Sequence, residues 1–392
     1  MSRIHITNGK VVLKDRILDH GSVTIDGTMI SEVNGTKPEA SVEIDANGGY
    51  ILPGFIDLHV HGGGGYDFMD GDAESVRGVA RAHCRFGTTG LYATTMTCGD
   101  DLLVKAINAY KEAKRTETGG AELLGLHLEG PFFSTQGKGA QPVSEQRYPS
   151  REFLEKIIAL GEGNIKRWDE APELDGTDVF AEVMKENGIM ASVAHTNGIA
   201  DDANRAFDLG FAHVTHFYSA TTTGRKINGI VYSGVNEATY LRESVTIELI
   251  ADGKHIPKEH MLLAYKIKGA DKTALITDAM RAAGTDCTTS ILGGKEGGVP
   301  VVIKDGVAQL PDFSSYAGSI GTMDNALKVA HLHYGIPLVD TVKMLSLTPA
   351  RLMGIAPTKG SIEAGKDADI VIMDQSFCVK QVFVRGKLCY QE

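Results

Sequence analysis

The stretch FIDLHVHGGGGYD, residues 55–67, decides the fold, because it places His59 and His61 two residues apart at the end of an apolar run. Side chains alternate along a β-strand, so both imidazoles are predicted to face the same way. The run before them, residues 51–58, is short and rich in β-forming residues, as in a buried parallel strand, and four glycines then form a loop. Two imidazoles at such a strand end can share one metal ion. Without further ligands nearby, however, one histidine could equally pack in the core and the other cap the strand.

The composition is that of an ordinary folded protein, because 392 residues with 42% hydrophobic and 23% charged side chains suffice for one large domain and a smaller one. The five cysteines are scattered, which favours neither a disulfide framework nor a thiolate zinc site, and a reducing cytoplasm is expected. The first residues, MSRIHITNGK, contain no apolar signal segment, and no stretch approaches the ~20 apolar residues of a membrane span. The formal net charge of −11, without a basic run, argues against nucleic acid as a partner.

Eight apolar strand candidates alternate with helical periodicity through the middle of the chain, which indicates parallel β/α construction. The candidates are residues 54–61, 89–97, 123–130, 166–171, 189–196, 213–218, 245–251 and 274–279. Eight such units predict a TIM-like (β/α)8 barrel, whose catalytic groups sit at the carboxyl ends of the strands. A doubly wound open sheet is the alternative, but no G-x-G-x-x-G follows the first strand.

Both ends of the chain contain short strand patterns separated by Gly, Asn and Asp. Residues 1–53 and 355–392 are expected to form one small β-sandwich domain, because each end alone has too few strands to bury a face. Residues 54–354 then form the α/β barrel. Within it, residues 286–312 are rich in glycine and include VPVVIKDGVAQL, which predicts a β-hairpin insert after the eighth strand.

Metal-binding side chains concentrate at the predicted strand ends, which is unusual for a core. They are His59 and His61 on strand one, His127 and Glu129 on strand three, His195 on strand five, His213 and His216 on strand six, and Asp278 on strand eight. Imidazoles and carboxylates without thiolates predict one or two divalent ions such as Zn, Fe or Mn. Such an ion generates hydroxide from water near neutral pH. Asp278 is the candidate general base and acid, although elsewhere it would be interpreted as a turn or N-cap aspartate.

The order of these residues resembles the amidohydrolase superfamily and, more narrowly, the N-acetylglucosamine-6-phosphate deacetylase family. LPGFIDLHVHG at 52–62 and GSIEAGKDADIV at 360–371 mark the superfamily, whereas HLEGPF at 127–132, KGA at 138–140 and IADGKH at 250–255 are more specific. The resemblance covers the whole chain. It implies a cytoplasmic homodimer, or a dimer-based oligomer, that hydrolyses N-acetylglucosamine 6-phosphate to glucosamine 6-phosphate and acetate.

The resemblance also implies roles for individual residues. Glu129, His195 and His216 would be the principal metal ligands, and His59 and His61 would hold a second ion. Asp278 would carry the proton during metal-dependent hydrolysis. The residues that would contact substrate are Gln141, Ser219, Ala220, Arg225, His255, Gly318 and Ser319.

The chain departs from the family pattern where the substrate is recognised. Ser219 stands where the family has a phosphate-binding Asn, and Gln141 stands where it has a His that polarises the acetyl carbonyl. A glutamine amide can donate a hydrogen bond but cannot carry a proton. Arg225 also lies two residues closer to His216 than the pattern expects. These departures keep open a galacto epimer, an unphosphorylated N-acyl sugar or a cyclic amide as substrate, whereas the intact ligand set disfavours a barrel without enzymatic activity.

Overall fold

The computed structural model of the chain describes residues 3–39 and 41–392. The expected domain range 1–53 includes residues 1, 2 and 40, which lie outside the described residues. Two eight-stranded sheets dominate the fold: a parallel barrel, and a sheet built from the two ends of the chain. Within the described residues there is no helix with both the length and the apolar character needed to cross a lipid bilayer.

Eight parallel strands form the barrel, each hydrogen-bonded to the next along the chain. In chain order they are Phe55–Val60, Thr88–Thr95, Glu122–Phe132, Ile165–Glu170, Met190–Val193, His213–Val214, Thr246–Ile250 and Thr273–Ile276. The first two strands are buried at every position, because one face meets the barrel interior and the other meets the surrounding helices. The predicted (β/α)8 barrel is confirmed.

The barrel closes between its eighth and first strands through a few contacts rather than a long ladder. An isolated parallel bridge joins the two at Val60. The backbone N–H of Asp278 donates to the carbonyl of His59 at 2.9 Å. One step deeper, the hydroxyl of Thr277 donates to the buried carboxylate of Asp57 at 2.6 Å. Closure therefore fixes His59 and Asp278 side by side.

Helices surround the barrel, and some of them begin at a residue whose side chain caps the first turn. In Ala73–Cys84, the Asp72 side chain accepts the backbone N–H of Ser75 at 2.8 Å, and Val76 and Val79 face the core. The α-helices assigned among the described residues are Ala73–Cys84, Asp100–Ala113, Arg151–Gly161, Thr177–Glu186, Ala200–Leu209, Val235–Leu241, Lys258–Lys268, Met323–Leu327, Leu338–Leu345 and Leu347–Leu352. Turns of 3-10 helix span Phe68–Asp70 and Val143–Glu145, and a π-helical segment spans Lys328–His333.

The terminal sheet brings the two ends of the chain together. In sheet order its strands are Lys387–Gln391, Val379–Val384, Ile370–Met373, Tyr50–Pro53, Arg3–Val12, Ile17–Asp26 and Met29–Val33, with Ser41–Asp45 paired to the fifth of these. The sheet curls until the N–H of Ile30 donates to the carbonyl of Lys366 at 2.8 Å. Ile6, Ile25 and Ile370 then share a core separate from that of the barrel. The expected β-sandwich from both termini is confirmed, as one curled sheet whose halves face each other.

The segment after the eighth barrel strand contains three antiparallel strands, where the sequence predicts a hairpin. Val299–Lys304 and Val307–Gln309 form the hairpin itself, and Thr289–Leu292 pairs along the outer side of Val299–Lys304. The two-residue turn between the hairpin strands is Asp305-Gly306, and both residues have positive φ, as a tight hairpin turn requires. This insert lies beside the carboxyl ends of the barrel strands.

Candidate active site

A cavity of about 400 Å³ opens at the carboxyl ends of the barrel strands. The residues expected at the site that line it are His61, Glu129, Gln141, His195, His216, Ser219, Ala220, His255, Asp278 and Gly318. His59 is fully buried directly beneath, with its Nε2 atom 3.2 Å from that of His61. The fold therefore brings together the predicted residues from the ends of strands one, three, five, six and eight.

Two of the expected substrate residues point elsewhere within this chain. The Ser319 hydroxyl is buried and donates to the backbone carbonyl of Thr277 at 2.5 Å. The Arg225 guanidinium donates to the backbone carbonyls of Asn197 and Gly198, and Arg225 does not line the cavity. Ser319 thus supports the eighth strand, and Arg225 secures the loop that follows the fifth.

Glu129 lies at the centre of the polar cluster, between two pairs of histidines. Its Oε1 atom is 2.9 Å from His195 Nε2 and 3.0 Å from His216 Nε2. Its Oε2 atom is 3.4 Å from His61 Nε2, and Oε1 is 3.6 Å from His59 Nε2. Burial alone raises the pKa of Glu129, but the charge and hydrogen bonds of the adjacent histidines hold it well below its usual range. The carboxylate is therefore ionised and shared by both pairs.

Hydrogen bonds on the far side of two rings define which nitrogen faces the cluster. His59 Nδ1 is 3.0 Å from a Glu248 carboxylate oxygen, and His195 Nδ1 is 3.0 Å from the carbonyl oxygen of Gly137. Both oxygens only accept, so each Nδ1 carries a hydrogen and each Nε2 faces Glu129, where it would offer its lone pair to a metal ion. Lone pairs and a carboxylate that converge in this way are the donor set of a divalent metal ion.

Two donor groups fit this requirement, and both contain Glu129. His59, His61 and Glu129 form one, and Glu129, His195 and His216 form the other, with the donor atoms of each group within 4.8 Å of one another. The Nε2 atoms of His195 and His216 are only 3.1 Å apart, a close approach of two nitrogens that a shared cation stabilises. The residues present therefore fit metal binding.

Asp278 stands beside the first of these groups. One of its carboxylate oxygens is 3.2 Å from His61 Nε2 and 3.5 Å from His59 Nε2. Burial raises the pKa of Asp278, but the two histidines outweigh burial and hold it below its usual value. An ionised carboxylate in this position can accept a proton within the cavity.

Three of these residues have left-handed backbone conformations at the ends of their strands. The φ angles are 45° at His195, 28° at His216 and 48° at Asp278. Non-glycine residues rarely adopt such angles, and they concentrate at functional sites because surrounding packing must hold them there. Each bend lies just after a barrel strand, and all three side chains line the cavity.

Charged residues deeper in the barrel support the cluster, and sequence analysis missed them. Arg167 donates to both oxygens of Glu248, at 2.6 and 2.7 Å, and both residues are fully buried. Burial raises the pKa of Glu248, but Arg167 and neighbouring histidines hold it well below its usual range. The available signal was Glu248, the one charged residue of the strand Thr246–Ile250, whereas Ile165–Glu170 contains several charged residues that did not single out Arg167.

Two histidines at the predicted strand ends belong to this deeper layer instead of the donor groups. His213 Nε2 is 3.2 Å from Glu248, and His127 Nε2 is 2.8 Å from Asp169. Burial, with Arg167 nearby, lowers the pKa of His127 to about 4, so its ring is neutral. These rings fix the carboxylates below the cavity and do not face it.

One wall of the cavity combines the seventh strand end with the insert. His255 Nδ1 is 2.8 Å from the Asp252 carboxylate, which also accepts the backbone N–H of His255 at 2.9 Å. The Tyr316 ring packs edge-on against His255, with ring centres 4.8 Å apart. Asp252 thus makes Nδ1 the hydrogen-bearing nitrogen of His255 and leaves its Nε2 available.

Comparison with known proteins agrees with this geometry. The amidohydrolase family profile matches residues 50–389. An N-acetylglucosamine-6-phosphate deacetylase from Lysinibacillus sphaericus is 34% identical over 366 residues, which cover 93% of this chain and 92% of the relative. An N-acetylgalactosamine-6-phosphate deacetylase from Shewanella sp. (strain ANA-3) is 29% identical. The match covers 97% of this chain and 95% of the relative.

The same relationship holds for a solved structure. An aspartate-to-alanine mutant of N-acetyl-D-glucosamine-6-phosphate deacetylase from Mycobacterium smegmatis, in complex with N-acetyl-D-glucosamine-6-phosphate, superposes with a TM-score of 0.90 at 28% identity and covers 100% of both chains. The family profile and the first relative each extend over most of the sequence, across the barrel and the histidines and carboxylates at its strand ends. The chain therefore belongs to the amidohydrolase family, a family of carbon–nitrogen bond hydrolases.

Proposed function

We propose that the protein hydrolyses the N-acetyl amide of an amino sugar phosphate, with N-acetylglucosamine 6-phosphate as the substrate and glucosamine 6-phosphate and acetate as products. The observation that carries this proposal is Glu129 held between two histidine pairs with Asp278 beside them. Relatives named as deacetylases of two hexosamine 6-phosphate epimers support the substrate class. The larger identity of the glucosamine-type relative favours the gluco epimer.

Glu129, His195 and His216 would hold one divalent ion, and His59 and His61, together with Glu129, would hold a second. Nitrogen and oxygen ligands without thiolates suit Zn, Fe or Mn. Such an ion supplies Lewis acidity, which polarises a carbonyl group and lowers the pKa of water. The protein contributes the fixed positions of the donor atoms, because Glu248 and Gly137 orient two of the rings.

Asp278 would move the proton. Its carboxylate accepts a proton from the attacking water and returns it to the amide nitrogen as the C–N bond breaks. His59 and His61 keep the carboxylate ionised in the resting state, as the lowered pKa of Asp278 indicates.

The sugar phosphate would bind between the strand-six loop and the insert. Ser219, Ala220, His255 and Gly318 line this part of the cavity. An imidazole with Nδ1 bonded to Asp252 can contact a phosphate oxygen through Nε2, and it supplies positive charge there when protonated. Arg225 would complete the phosphate site of a second copy of the chain, since it does not line the cavity of its own copy and donates there to backbone carbonyls.

A homodimer would form across the hairpin of Arg225–Ile227 and Ile230–Tyr232. This hairpin exposes apolar side chains that a monomer would leave in water, with Ile230 59% and Val231 70% exposed. Nearby in sequence, Leu241 is 85% exposed. A second copy that covers this surface would bring the two Arg225 side chains toward opposite active sites. All five cysteines are free, which supports a reducing, cytoplasmic location.

A substrate comparison tests the proposed function. Purified protein is assayed for acetate release from N-acetylglucosamine 6-phosphate, its galacto epimer, unphosphorylated N-acetylglucosamine and a cyclic amide. We expect the highest kcat/KM for the gluco phosphate. A preference for the cyclic amide, or equal rates with and without the phosphate, would contradict the proposal.

Replacing Arg225 with alanine should raise KM for the phosphorylated sugar by about 10- to 100-fold, because a charge-assisted hydrogen bond contributes roughly 1.5–3 kcal/mol. The unphosphorylated sugar should be almost unaffected. Both substrates are assayed on both proteins. The control is Arg16→Ala, which alters an exposed arginine in the turn between two strands of the terminal sheet. Equal losses on the two sugars would indicate general damage, and no loss on either would remove Arg225 from the phosphate site.

The change Val231→Glu should convert the dimer into monomers, because it buries an unpaired charge in an apolar interface. Mass determination by light scattering measures the oligomeric state. The control is Val42→Glu, which alters a 51%-exposed valine on the terminal sheet and should leave the dimer intact. A dimer that survives Val231→Glu would place the interface elsewhere.

A further inference from the structure

We propose that Gln141 is a positioning residue for Glu129, which fixes the orientation of the ligand carboxylate, and that recognition of the acetyl group is not its main role. This inference rests on the proposed metal-dependent function. It assigns a purpose to the glutamine that stands where related sequences are expected to carry a histidine. The contact responsible is a hydrogen bond between two buried side chains.

The orientation of the Gln141 amide is determined by its surroundings. Gln141 is 6% exposed, and its Oε1 atom accepts the backbone N–H of Thr97 at 3.0 Å. Because a backbone N–H can only donate, the amide oxygen must face Thr97, and the NH2 group must face the other way. The Nε2 atom therefore donates to Glu129 Oε2, at 2.7 Å.

This bond divides the two carboxylate oxygens of Glu129 between the two donor groups. Oε2 is held by Gln141, on the side where His61 Nε2 lies 3.4 Å away. Oε1 is left for His195 and His216, at 2.9 and 3.0 Å. The terminal torsion angle of a glutamate side chain has a broad distribution, so the carboxylate would rotate more freely without a fixed donor.

Gln141 is itself held in place by the elements that carry the site. Its backbone N–H donates to the carbonyl of Lys138 at 2.9 Å, which closes a turn over the cavity. Thr97 follows the second barrel strand, and its hydroxyl donates to the backbone carbonyl of Glu129 at 3.4 Å. The amide thus braces the third strand against the second, and partners outside the ligand set commonly tune metal affinity in this way.

The test measures zinc binding directly, without substrate. Full-length protein is depleted of metal and titrated with Zn²⁺ in competition with a chelator of known affinity. Gln141→Met removes both hydrogen bonds at similar side-chain length and should weaken zinc affinity about 10- to 100-fold. Gln141→Asn keeps an amide but is too short to reach both partners, so it tests the same contact with milder effects on packing.

The matched control is Gln136→Met, which alters an exposed glutamine of the same cavity without a contact to Glu129 among the described residues. It should leave zinc affinity unchanged. At saturating zinc, the two Gln141 variants should lower kcat while KM stays nearly constant.

Unchanged zinc affinity in both Gln141 variants, with a raised KM, would overturn the proposal and make Gln141 a substrate contact. An equal loss of affinity in Gln136→Met would also overturn it, because the effect would then reflect general loosening of the cavity. The zinc titration remains decisive even if the natural substrate is not the one proposed above, so the two failures can be told apart.

Discussion

Replacing Asp278 with asparagine is expected to lower kcat by about two to four orders of magnitude, the range for loss of a general acid–base group. Asparagine has the same shape, so the backbone bond from residue 278 to His59, which closes the barrel, should persist. What disappears is the ionised carboxylate, which is the group able to carry the proton and which has one oxygen 3.2 Å from His61 Nε2. Metal content and thermal stability should therefore change little.

Steady-state kinetics and elemental analysis of the same preparations check this result. Asp72→Asn is a suitable control, because Asp72 does not line the cavity and caps the helix Ala73–Cys84, a role that asparagine fills equally well. Turnover close to wild type in Asp278→Asn would refute the proton-transfer role. Loss of metal from this variant would instead make Asp278 mainly a ligand.

Removing the metal should have an equally large effect. Chelation is expected to reduce activity to background, and Glu129→Ala should abolish binding of both ions because Glu129 belongs to both donor groups. A double change of His59 and His61 to alanine should keep about one equivalent, since the group of Glu129, His195 and His216 remains. The two variants should differ in metal content because the Glu129 carboxylate belongs to both donor groups, whereas His59 and His61 belong to one.

Elemental analysis of proteins purified without chelator decides this prediction. His333→Ala, which alters an exposed histidine, should leave the metal content unchanged and serves as control. Less than one equivalent of divalent metal in an active wild-type preparation would contradict the proposed site. Full metal content in Glu129→Ala would show that the two donor groups do not depend on Glu129.

The barrel was predictable because its signals are local. A short apolar run that ends in His-x-His defines a strand and the direction of its side chains, and the observed strand Phe55–Val60 lies within the predicted one. The sixth strand shows where this reasoning stops. It was predicted over residues 213–218 but pairs only at His213–Val214. The left-handed backbone at His216 ends the ladder, and side-chain type alone does not encode that bend.

Contacts between distant parts of the chain were the other limit. The ion pair of Arg167 and Glu248 joins residues on the fourth and seventh strands, and neither segment indicates that the other contains its partner. The bond from Gln141 to Glu129 likewise depends on a turn that returns over the third strand. The residue types at these positions were visible, but their partners depend on how the barrel closes. Hydrophobic periodicity predicts elements and does not predict which polar side chains meet.

The terminal sheet can be completed only after the whole barrel has been synthesised. Tyr50–Pro53 pairs with Arg3–Val12 on one side and with Ile370–Met373 on the other. The ribosome makes Ile370–Met373 only after every barrel strand, so Tyr50–Pro53 keeps one unsatisfied edge while the catalytic domain emerges. Pairings so distant in sequence form slowly, and open strand edges attract other chains during that interval. A nascent chain whose synthesis pauses before residue 370 would therefore expose an unpaired strand edge, which a chaperone would have to cover to prevent aggregation.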